Sequence, residues 1–176
     1  SDGNIRFYCL YPKCDEKQAN TVKDRNNESL VLLMNYRDFD MLLTGDIEKQ
    51  GELELLKYID QMSSKNISAE FVKKYGLGDE KQMDILKEHN QDDYFRLDVL
   101  KVAHHGSSGS SCEELLKVLN PKLSLISCGK NNSYGHPHEE TLERLEEVGS
   151  KVMSTVESGA ITIKIGKKIK IYGFKK

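Results

Sequence analysis

The segment Val99-Leu-Lys-Val-Ala-His-His-Gly-Ser-Ser108 joins an apolar strand to two adjacent histidines and a loop of small residues. Imidazole is the commonest neutral metal ligand in proteins and a general acid or base near neutral pH. Two adjacent side chains of an extended segment point in opposite directions, so we expect one histidine to bind a metal while the other faces a substrate or packs. The same residues also fit a pair of hydrogen-bonded core or loop histidines, and the segment alone leaves both roles open.

Two further loops combine the end of a strand with groups suited to ligand binding. Met41-Leu-Leu-Thr-Gly-Asp46 ends at a glycine and a carboxylate, which suits a metal and equally an ordinary turn. Gly129–His138 gathers amides, hydroxyl groups and imidazoles before a helix, which suits an anion and equally a capped loop. We expect the positive end of that helix to favour the neutral form of His136. Because ligands of α/β folds gather at the carboxyl ends of strands, the three loops together predict one site.

Strand and helix patterns alternate along the chain. Capping boxes are predicted at Ser110 and Ser111 for the second helix, and Pro137 is predicted as the first residue of the third. This alternation, closed by a hairpin, predicts an α/β domain whose helices cover a largely central sheet. The predicted strands are Ile5–Tyr11, Leu30–Tyr36, Phe39–Leu43, Leu97–Ala103, Leu123–Ser127, Val152–Val156, Ala160–Ile165 and Ile169–Phe174, and the predicted helices are Glu48–Met62, Cys112–Leu119 and Glu139–Val148.

The composition fits one globular domain spanning 1–176. With 38% hydrophobic and 31% charged residues, the chain is unlike disordered, collagenous or coiled-coil proteins. Its net charge of -2 gives no global basic field, so any contact with nucleic acid must be local. No apolar run approaches the roughly 20 residues of a spanning helix, and we expect a soluble segment without membrane contact. The charged stretch 58–96 is predicted to be a helical insertion.

The C-terminal hairpin is rich in lysine. Ile163–Lys176 contains six lysines and no acidic residue. Such charge protects the edge of a sheet from pairing, an interpretation that we favour over a phosphate-binding patch. The lysines are Lys164, Lys167, Lys168, Lys170, Lys175 and Lys176.

Read in order, four segments resemble the metallo-β-lactamase-fold domain of ComEC-type competence proteins and their free-standing relatives. They are Asn26–Leu33, Leu42–Asp46, Leu100–Ser107 and Tyr134–His138, and the resemblance extends over most of the chain outside 58–96, including Thr155–Ile161. The resemblance implies an αββα sandwich in a bacterial protein, cytoplasmic or extracytoplasmic. It also implies two divalent metals, zinc or manganese, and hydrolysis of a phosphoester substrate. DNA degradation during uptake is the proposed role in the competence proteins.

The resemblance also implies roles for individual residues. Asp46 bridges both metals, and His105 is a ligand of one of them. His104 and His136 are implied as the catalytic residues, of which His104 faces the substrate phosphate and His136 lines the pocket on the same side. The substrate-binding residues are Ser107, Asn131 and Tyr134.

One part of the family pattern does not occur in this sequence. The H-x-H-x-D-H loop, which supplies most of the metal ligands, is missing, and His136-Pro-His138 is followed by Glu139 and Glu140. Asn26 and Asn27 occupy the region where many members carry a further histidine. We therefore expect the C-terminal portion of such a domain, with a partial or absent metal site and little activity alone. The missing N-terminal half is an expected partner, and the sheet surface that it would cover predicts possible homo-oligomers.

Three functions stay open on this basis. The first is a metal-dependent phosphoester hydrolase of the DNA nuclease or phosphodiesterase type, and the second is a non-catalytic module that binds an anion or a partner. The third keeps the fold but changes the substrate to a cell-wall or phosphocholine ester. A serine hydrolase or nucleotide-binding domain is disfavoured, because the sequence has no G-x-S-x-G elbow, no P-loop and no G-x-G-x-x-G after a strand.

Overall fold

A six-stranded sheet forms the centre of the fold. The computed structural model describes residues 5–12, 25–63 and 97–174. The first three strands pair antiparallel, and the third to the sixth pair parallel, which brings the carboxyl ends of the third, fourth and fifth strands to one edge. In spatial order the strands are β1 (Arg6–Tyr11), β2 (Val31–Tyr36), β3 (Phe39–Leu43), β4 (Val99–Lys101), β5 (Leu123–Ile126) and β6 (Lys151–Ser154).

Helices cover one face of this sheet and a hairpin covers part of the other. Side chains alternate along each strand, so Leu42 and Leu100 join the core under the helices while Phe39 and Val99 join the core under the hairpin. The helices are α1 (Lys49–Ser63), α2 (Glu113–Leu119), α3 (Glu139–Glu147) and α4 (Thr155–Ser158), with 3-10 helices at Arg25–Glu28 and Ala103–Gly106. The hairpin consists of β7 (Ala160–Lys164) and β8 (Lys170–Phe174).

The predicted α/β class is confirmed, and the predicted C-terminal hairpin is present as β7–β8. Strands β2 and β3 form a second hairpin. Two predicted strands are too long. Leu97–Ala103 is a strand over Val99–Lys101 alone, because the chain turns into a 3-10 helix at Ala103. The predicted Val152–Val156 ends at Ser154, whose Oγ accepts a hydrogen bond from the amide of Glu157 and starts α4.

Most of the predicted insertion at 58–96 lies beyond what the structure describes. Helix α1 extends to Ser63, and residues 64–96 lie outside the described residues. Among the helices of the described ranges, none is long and apolar enough to cross a membrane.

A buried carboxylate caps α2, so the predicted capping boxes at Ser110 and Ser111 are wrong. The residue at the N-cap is Cys112, which forms no side-chain cap. Instead Glu52, which is 0% exposed, accepts hydrogen bonds from the amides of Ser111 (2.6 Å) and Cys112 (2.8 Å). Burial raises the pKa of Glu52, and its hydrogen bonds and the charge of Arg144 counter part of that rise. Glu52 thereby ties α1 to the start of α2.

Arg144 of α3 holds the same loop from the other side. Its Nε donates to the carbonyl of Ser111 (3.0 Å), and its Nη2 donates to those of Ser108 (3.0 Å) and Ser110 (2.9 Å). Helix α3 begins at Glu139 behind its N-cap, so Pro137 precedes the helix and is not its first residue as predicted. Three helices therefore fix the loop that follows the paired histidines.

Replacing Glu52 with alanine tests the buried cap. Two buried amides would lose their acceptor, so we expect the free energy of unfolding to fall by about 2–4 kcal/mol, measured by urea denaturation. Glu143→Ala on the exposed side of α3 is the control, with an expected change within about 0.5 kcal/mol. A loss for Glu52→Ala no larger than that of the control would contradict the cap.

Candidate active site

Asp46 and the two adjacent histidines meet at the carboxyl edge of the parallel strands. Asp46 follows β3, and the histidines follow its direct neighbour β4. Nε2 of His105 lies 3.9 Å from Oδ1 of Asp46, and both side chains are about half exposed. The amide of His104 donates to the carbonyl of Gly45 (3.0 Å), which joins the two loops through their backbones. The structure thus brings the first two candidate loops together.

His104 and His105 lie in a turn and not in the extended segment that we expected. Their φ and ψ angles are 45° and 44°, and 56° and 18°, which place both in the left-handed region. Side chains other than glycine seldom adopt this conformation, and a hydrogen bond from the amide of Ser107 to the carbonyl of His104 (2.9 Å) closes the turn. The two imidazoles are therefore positioned by a turn of the chain, and not by the alternation of side chains along a strand.

A backbone carbonyl fixes the ring of His105. Its Nδ1 lies 2.5 Å from the carbonyl oxygen of Ser127. A carbonyl only accepts hydrogen bonds, so the proton is on Nδ1, and in the neutral ring Nε2 carries a lone pair. This nitrogen lies 3.9 Å from Oδ1 of Asp46. A cation bound by both atoms would stabilise this arrangement. Hydrogen bonds of this kind orient the histidines of metal sites.

Glu48 accompanies His104, and the sequence analysis missed it. Nδ1 of His104 lies 3.1 Å from Oε1 of Glu48, although the two atoms are not aligned for a hydrogen bond and Nδ1 has no other partner within the described ranges. The side-chain amide of Asn26 donates to the same carboxylate oxygen (3.1 Å). The feature of the sequence that could have identified Glu48 is its position, two residues after Asp46 and directly before α1.

The third candidate loop adds an imidazole and an aromatic ring. The ring of His136 lies 5.6 Å from that of His104 and 6.3 Å from that of His105, and Tyr134 stacks on it at 5.6 Å. Burial lowers the pKa of His136, and the neighbouring imidazoles of His138, His104 and His105 lower it further. The expected direction is therefore confirmed, but its cause is burial and repulsion between imidazoles, where we had expected the end of a helix.

Two side chains that carried no predicted role hold this loop in shape. His138 accepts a hydrogen bond from the amide of Ser108 at Nδ1 (2.9 Å), and its Nε2 donates to the carbonyl of Tyr134 (3.0 Å). Asn132 accepts from the amide of His136 (2.8 Å) and donates to the carbonyl of the same residue (2.7 Å). Because both of its ring nitrogens form hydrogen bonds, His138 connects the two loops.

The predicted substrate-binding residues differ in their surroundings. Tyr134 is 74% exposed above His136. Ser107 follows the histidine turn, and its Oγ accepts from the amide of Gly109 (3.3 Å). Asn131 is exposed, and its side chain forms no hydrogen bond with any described residue.

Lys101 is a further residue near Asp46 that the sequence analysis did not single out. Its ammonium donates to the carbonyl of Val102 (2.9 Å). Burial lowers the pKa of Lys101, and the negative charge of Asp46 counters part of that decrease. The feature of the sequence that could have identified Lys101 is a lysine inside an otherwise apolar strand. Its positive charge contributes to the electrostatic potential around Asp46.

The donors of this site fit a divalent cation as part of a coordination shell. Asp46 offers a carboxylate and His105 an imidazole nitrogen, both of which suit zinc or manganese. Within 5–12, 25–63 and 97–174 there is no group of three or more His, Cys, Asp or Glu side chains that could hold a metal. Protein zinc sites use three or four protein ligands, so the described pair needs additional ligands for tight binding.

The fold and these contacts define a mixed α/β domain with a carboxylate and imidazole site at the edge of its parallel strands. No protein-family model matches the chain. The chain is 34% identical over 158 residues to ComE operon protein 3 of Bacillus subtilis (strain 168), which covers 90% of the chain and 16% of that protein. It is 40% identical over 138 residues to Recombination protein 2 of Haemophilus influenzae, covering 78% of the chain and 13% of that protein.

The name of a third relative contains the word competence. Competence protein ComA of Neisseria gonorrhoeae is 28% identical over 157 residues, covering 86% of the chain and 18% of that protein. The three homologues support the ComEC-related competence family for this chain, in line with the resemblance of its motifs. The chain spans between 13% and 18% of the length of these relatives.

A substitution at Gly106 tests how the turn positions the paired histidines. Its φ is 85°, and a Cβ atom there would lie 2.7 Å from Cβ of Pro137, so we expect Gly106→Ala to lower the free energy of unfolding by about 1–3 kcal/mol. In the control Gly109→Ala, the new Cβ would meet only Oγ of Ser107 at 3.8 Å, and we expect a change within about 0.5 kcal/mol. Equal losses in urea denaturation would show that the turn tolerates a side chain.

Proposed function

We propose that this chain carries part of the active site of a metal-dependent phosphoester hydrolase, of the DNA nuclease or phosphodiesterase type, with a role in DNA uptake. The observation that carries the proposal is the pair formed by Asp46 and His105. Nδ1 of His105 donates its proton to the carbonyl of Ser127. Nε2 is therefore free to bind a cation, and it lies 3.9 Å from a carboxylate oxygen of Asp46. The words recombination and competence in the names of two homologues, Recombination protein 2 and Competence protein ComA, support the connection with DNA uptake.

The layering of the described residues supports a metallo-β-lactamase-like sandwich as the parent fold. Helices α1, α2 and α3 contribute to the core on one face of the six-stranded sheet. The β7–β8 hairpin packs on the opposite face and encloses a second core between the two sheets. A helix layer, a sheet and a second sheet are three of the four layers of an αββα sandwich.

Each residue has a distinct task in this proposal. Asp46 and His105 hold a divalent cation, whose contribution is Lewis acidity toward water and phosphoryl oxygens. His104 transfers a proton, and the carboxylate of Glu48, 3.1 Å from its Nδ1, keeps the ring oriented. The imidazole of His136 donates a hydrogen bond to the phosphate, and burial lowers the pKa of this ring.

Three exposed or half-exposed residues bind the substrate in this proposal. Ser107 offers its hydroxyl group beside the histidine turn, and Asn131 offers a side-chain amide with no partner among the described residues. Tyr134 presents its ring next to His136, where a base or sugar adjoining the phosphate would lie.

A non-catalytic anion-binding module is the second candidate. It is favoured by the small number of donors, because the described residues offer no third metal ligand beside Asp46 and His105. Such a module would bind phosphate through the same loops without a metal. Phosphate binding in the presence of a chelator therefore separates the two candidates.

Metal content is the first prediction of the hydrolase proposal. In equilibrium dialysis against zinc or manganese, we expect weak binding of less than one metal per unsubstituted chain, because the described pair offers only two donors, and far less in Asp46→Ala and His105→Ala, because each variant lacks one of them. Elemental analysis gives the ratio, and Asp38→Ala in an exposed turn is the matched control, which should keep the metal. Equal metal in all four proteins, or none in the parent, would contradict the site.

Catalysis is tested on 5′-labelled single-stranded DNA with the metal-loaded chain in excess. We expect slow cleavage that a chelator abolishes, a rate about 100-fold lower in His104→Ala and about tenfold lower in Glu48→Gln, because proton transfer and its orientation are lost. Metal content should stay at the parent level in both variants, and Glu143→Gln should cleave like the parent. Parent-like cleavage by His104→Ala would remove that residue from the mechanism.

A further inference from the structure

The two ring nitrogens of His138 bind groups of opposite kinds. Nδ1 lies 2.9 Å from the amide nitrogen of Ser108, and Nε2 lies 3.0 Å from the carbonyl oxygen of Tyr134. A backbone amide only donates a hydrogen bond, and a backbone carbonyl only accepts one. Nδ1 therefore carries the lone pair and Nε2 carries the proton, so the two contacts together fit a neutral ring in one tautomer.

The charged form of this ring is incompatible with both contacts at once. An imidazolium carries a proton on each nitrogen, so Nδ1 of His138 would point an N–H group at the N–H group of Ser108. The bond from Nε2 to Tyr134 would persist, whereas the amide of Ser108 would lose its acceptor. His105 is the opposite case, because its Nδ1 faces the carbonyl of Ser127 and donates in both charge states.

The serine loop, residues 107–112, is the fixed partner of His138. Glu52 accepts two amide hydrogens of this loop from one side. Arg144 donates to the carbonyl of Ser108 from the other side (3.0 Å). The residue whose amide binds Nδ1 of His138 is therefore itself held by a guanidinium group, and it offers the ring a rigid anchor.

The His136 loop, residues 129–137, is the attached partner. The side-chain hydrogen bonds of Asn132 stay within this loop, where they reach Gly129 and His136. The ring of His136 lies 5.0 Å from that of His138, with an angle of 88° between the ring planes. The side chain of His138 thus links the carbonyl of Tyr134, next to His136 in the candidate site, to the fixed serine loop.

We propose that His138 is a positioning residue whose neutral ring holds the His136 loop against the serine loop and whose protonation breaks that connection. Histidine changes its charge between about pH 5 and pH 8, so the connection responds to pH in the physiological range. Acidification then loosens His136 and Tyr134 from their places beside the paired histidines. The inference rests on the proposed function for the use of this site, but the connection itself involves neither metal nor substrate.

Other titratable and charged groups lie on the elements packed around this ring. They come from α1, the serine loop, the His136 loop and α3, and they are Glu52, Cys112, Lys130, Tyr134, His136, Glu139, Glu140 and Arg144. Some of these groups also change charge with pH, so the test has to separate their effect from that of His138.

Two substitutions make this separation. In His138→Asn the amide oxygen takes the place of Nδ1 as an acceptor and does not titrate, whereas His138→Ala has no acceptor. Hydrogen exchange of the Ser108 amide is followed by NMR in buffer with a chelator, at about pH 8 and about pH 5, and corrected for the intrinsic rate. We expect its protection in the unsubstituted chain to fall about tenfold at the lower pH. It should stay high in His138→Asn and low in His138→Ala at both values.

The amide of Val102, which donates to the carbonyl of Leu125 between two central strands, is the internal control and should keep its protection in all three proteins. Backbone order parameters of residues 133–136 report the His136 loop. We expect values of about 0.85 for the unsubstituted chain at the higher pH, and below about 0.6 at the lower pH and in His138→Ala.

Three results would overturn the proposal. The first is equal protection of Ser108 at both pH values in the unsubstituted chain, and the second is parent-like protection or parent-like order parameters in His138→Ala. The third is a loss of protection at low pH in His138→Asn, which would assign the response to a neighbouring group. None of these measurements depends on metal binding or cleavage, so they decide the role of His138 even if the hydrolase proposal fails.

Discussion

The carboxylate of Glu52 is the interaction on which the rest of the site depends. It is fully buried, and both of its oxygens accept amide hydrogens where α2 begins. A buried carboxylate without partners is costly, so these hydrogen bonds fix α1 against the loop that follows the paired histidines. Arg144 binds three carbonyl groups of the same loop from α3. A loop held from both sides can keep His104 and His105 in left-handed conformations that few side chains adopt.

The imidazoles of the candidate site lie beside groups from different parts of the chain. The carbonyl of Ser127 behind β5 holds His105, and Glu48 in front of α1 lies beside His104. His136 contacts both rings, and His138 connects its loop to Ser108. A site whose side chains are fixed by partners on rigid elements is preorganised, which is the arrangement that metal binding and proton transfer both require.

The loops of the candidate active site are joined to the C-terminal hairpin through α4. The parallel strands bring their loops to one edge, where Asp46 and His105 face each other. Helix α4 follows β6, and its residue Thr155 bonds to Cys128 beside that edge before the chain enters the hairpin.

The sequence alone determined where most elements lie and which strand ends carry reactive groups. The alternation of Ile161 and Ile163, and the apolar run before Asp46, act over a few residues, and these patterns predict strands and turns correctly. Tertiary structure decided which groups orient the site. Glu52 caps a helix 59 residues away, and Ser127 holds a histidine 22 residues away. Such partners are chosen by packing of distant segments, whereas a local pattern reports only the preferences of neighbouring residues. For the same reason the serines before α2 look like caps in the sequence, but the buried carboxylate takes that place in the fold.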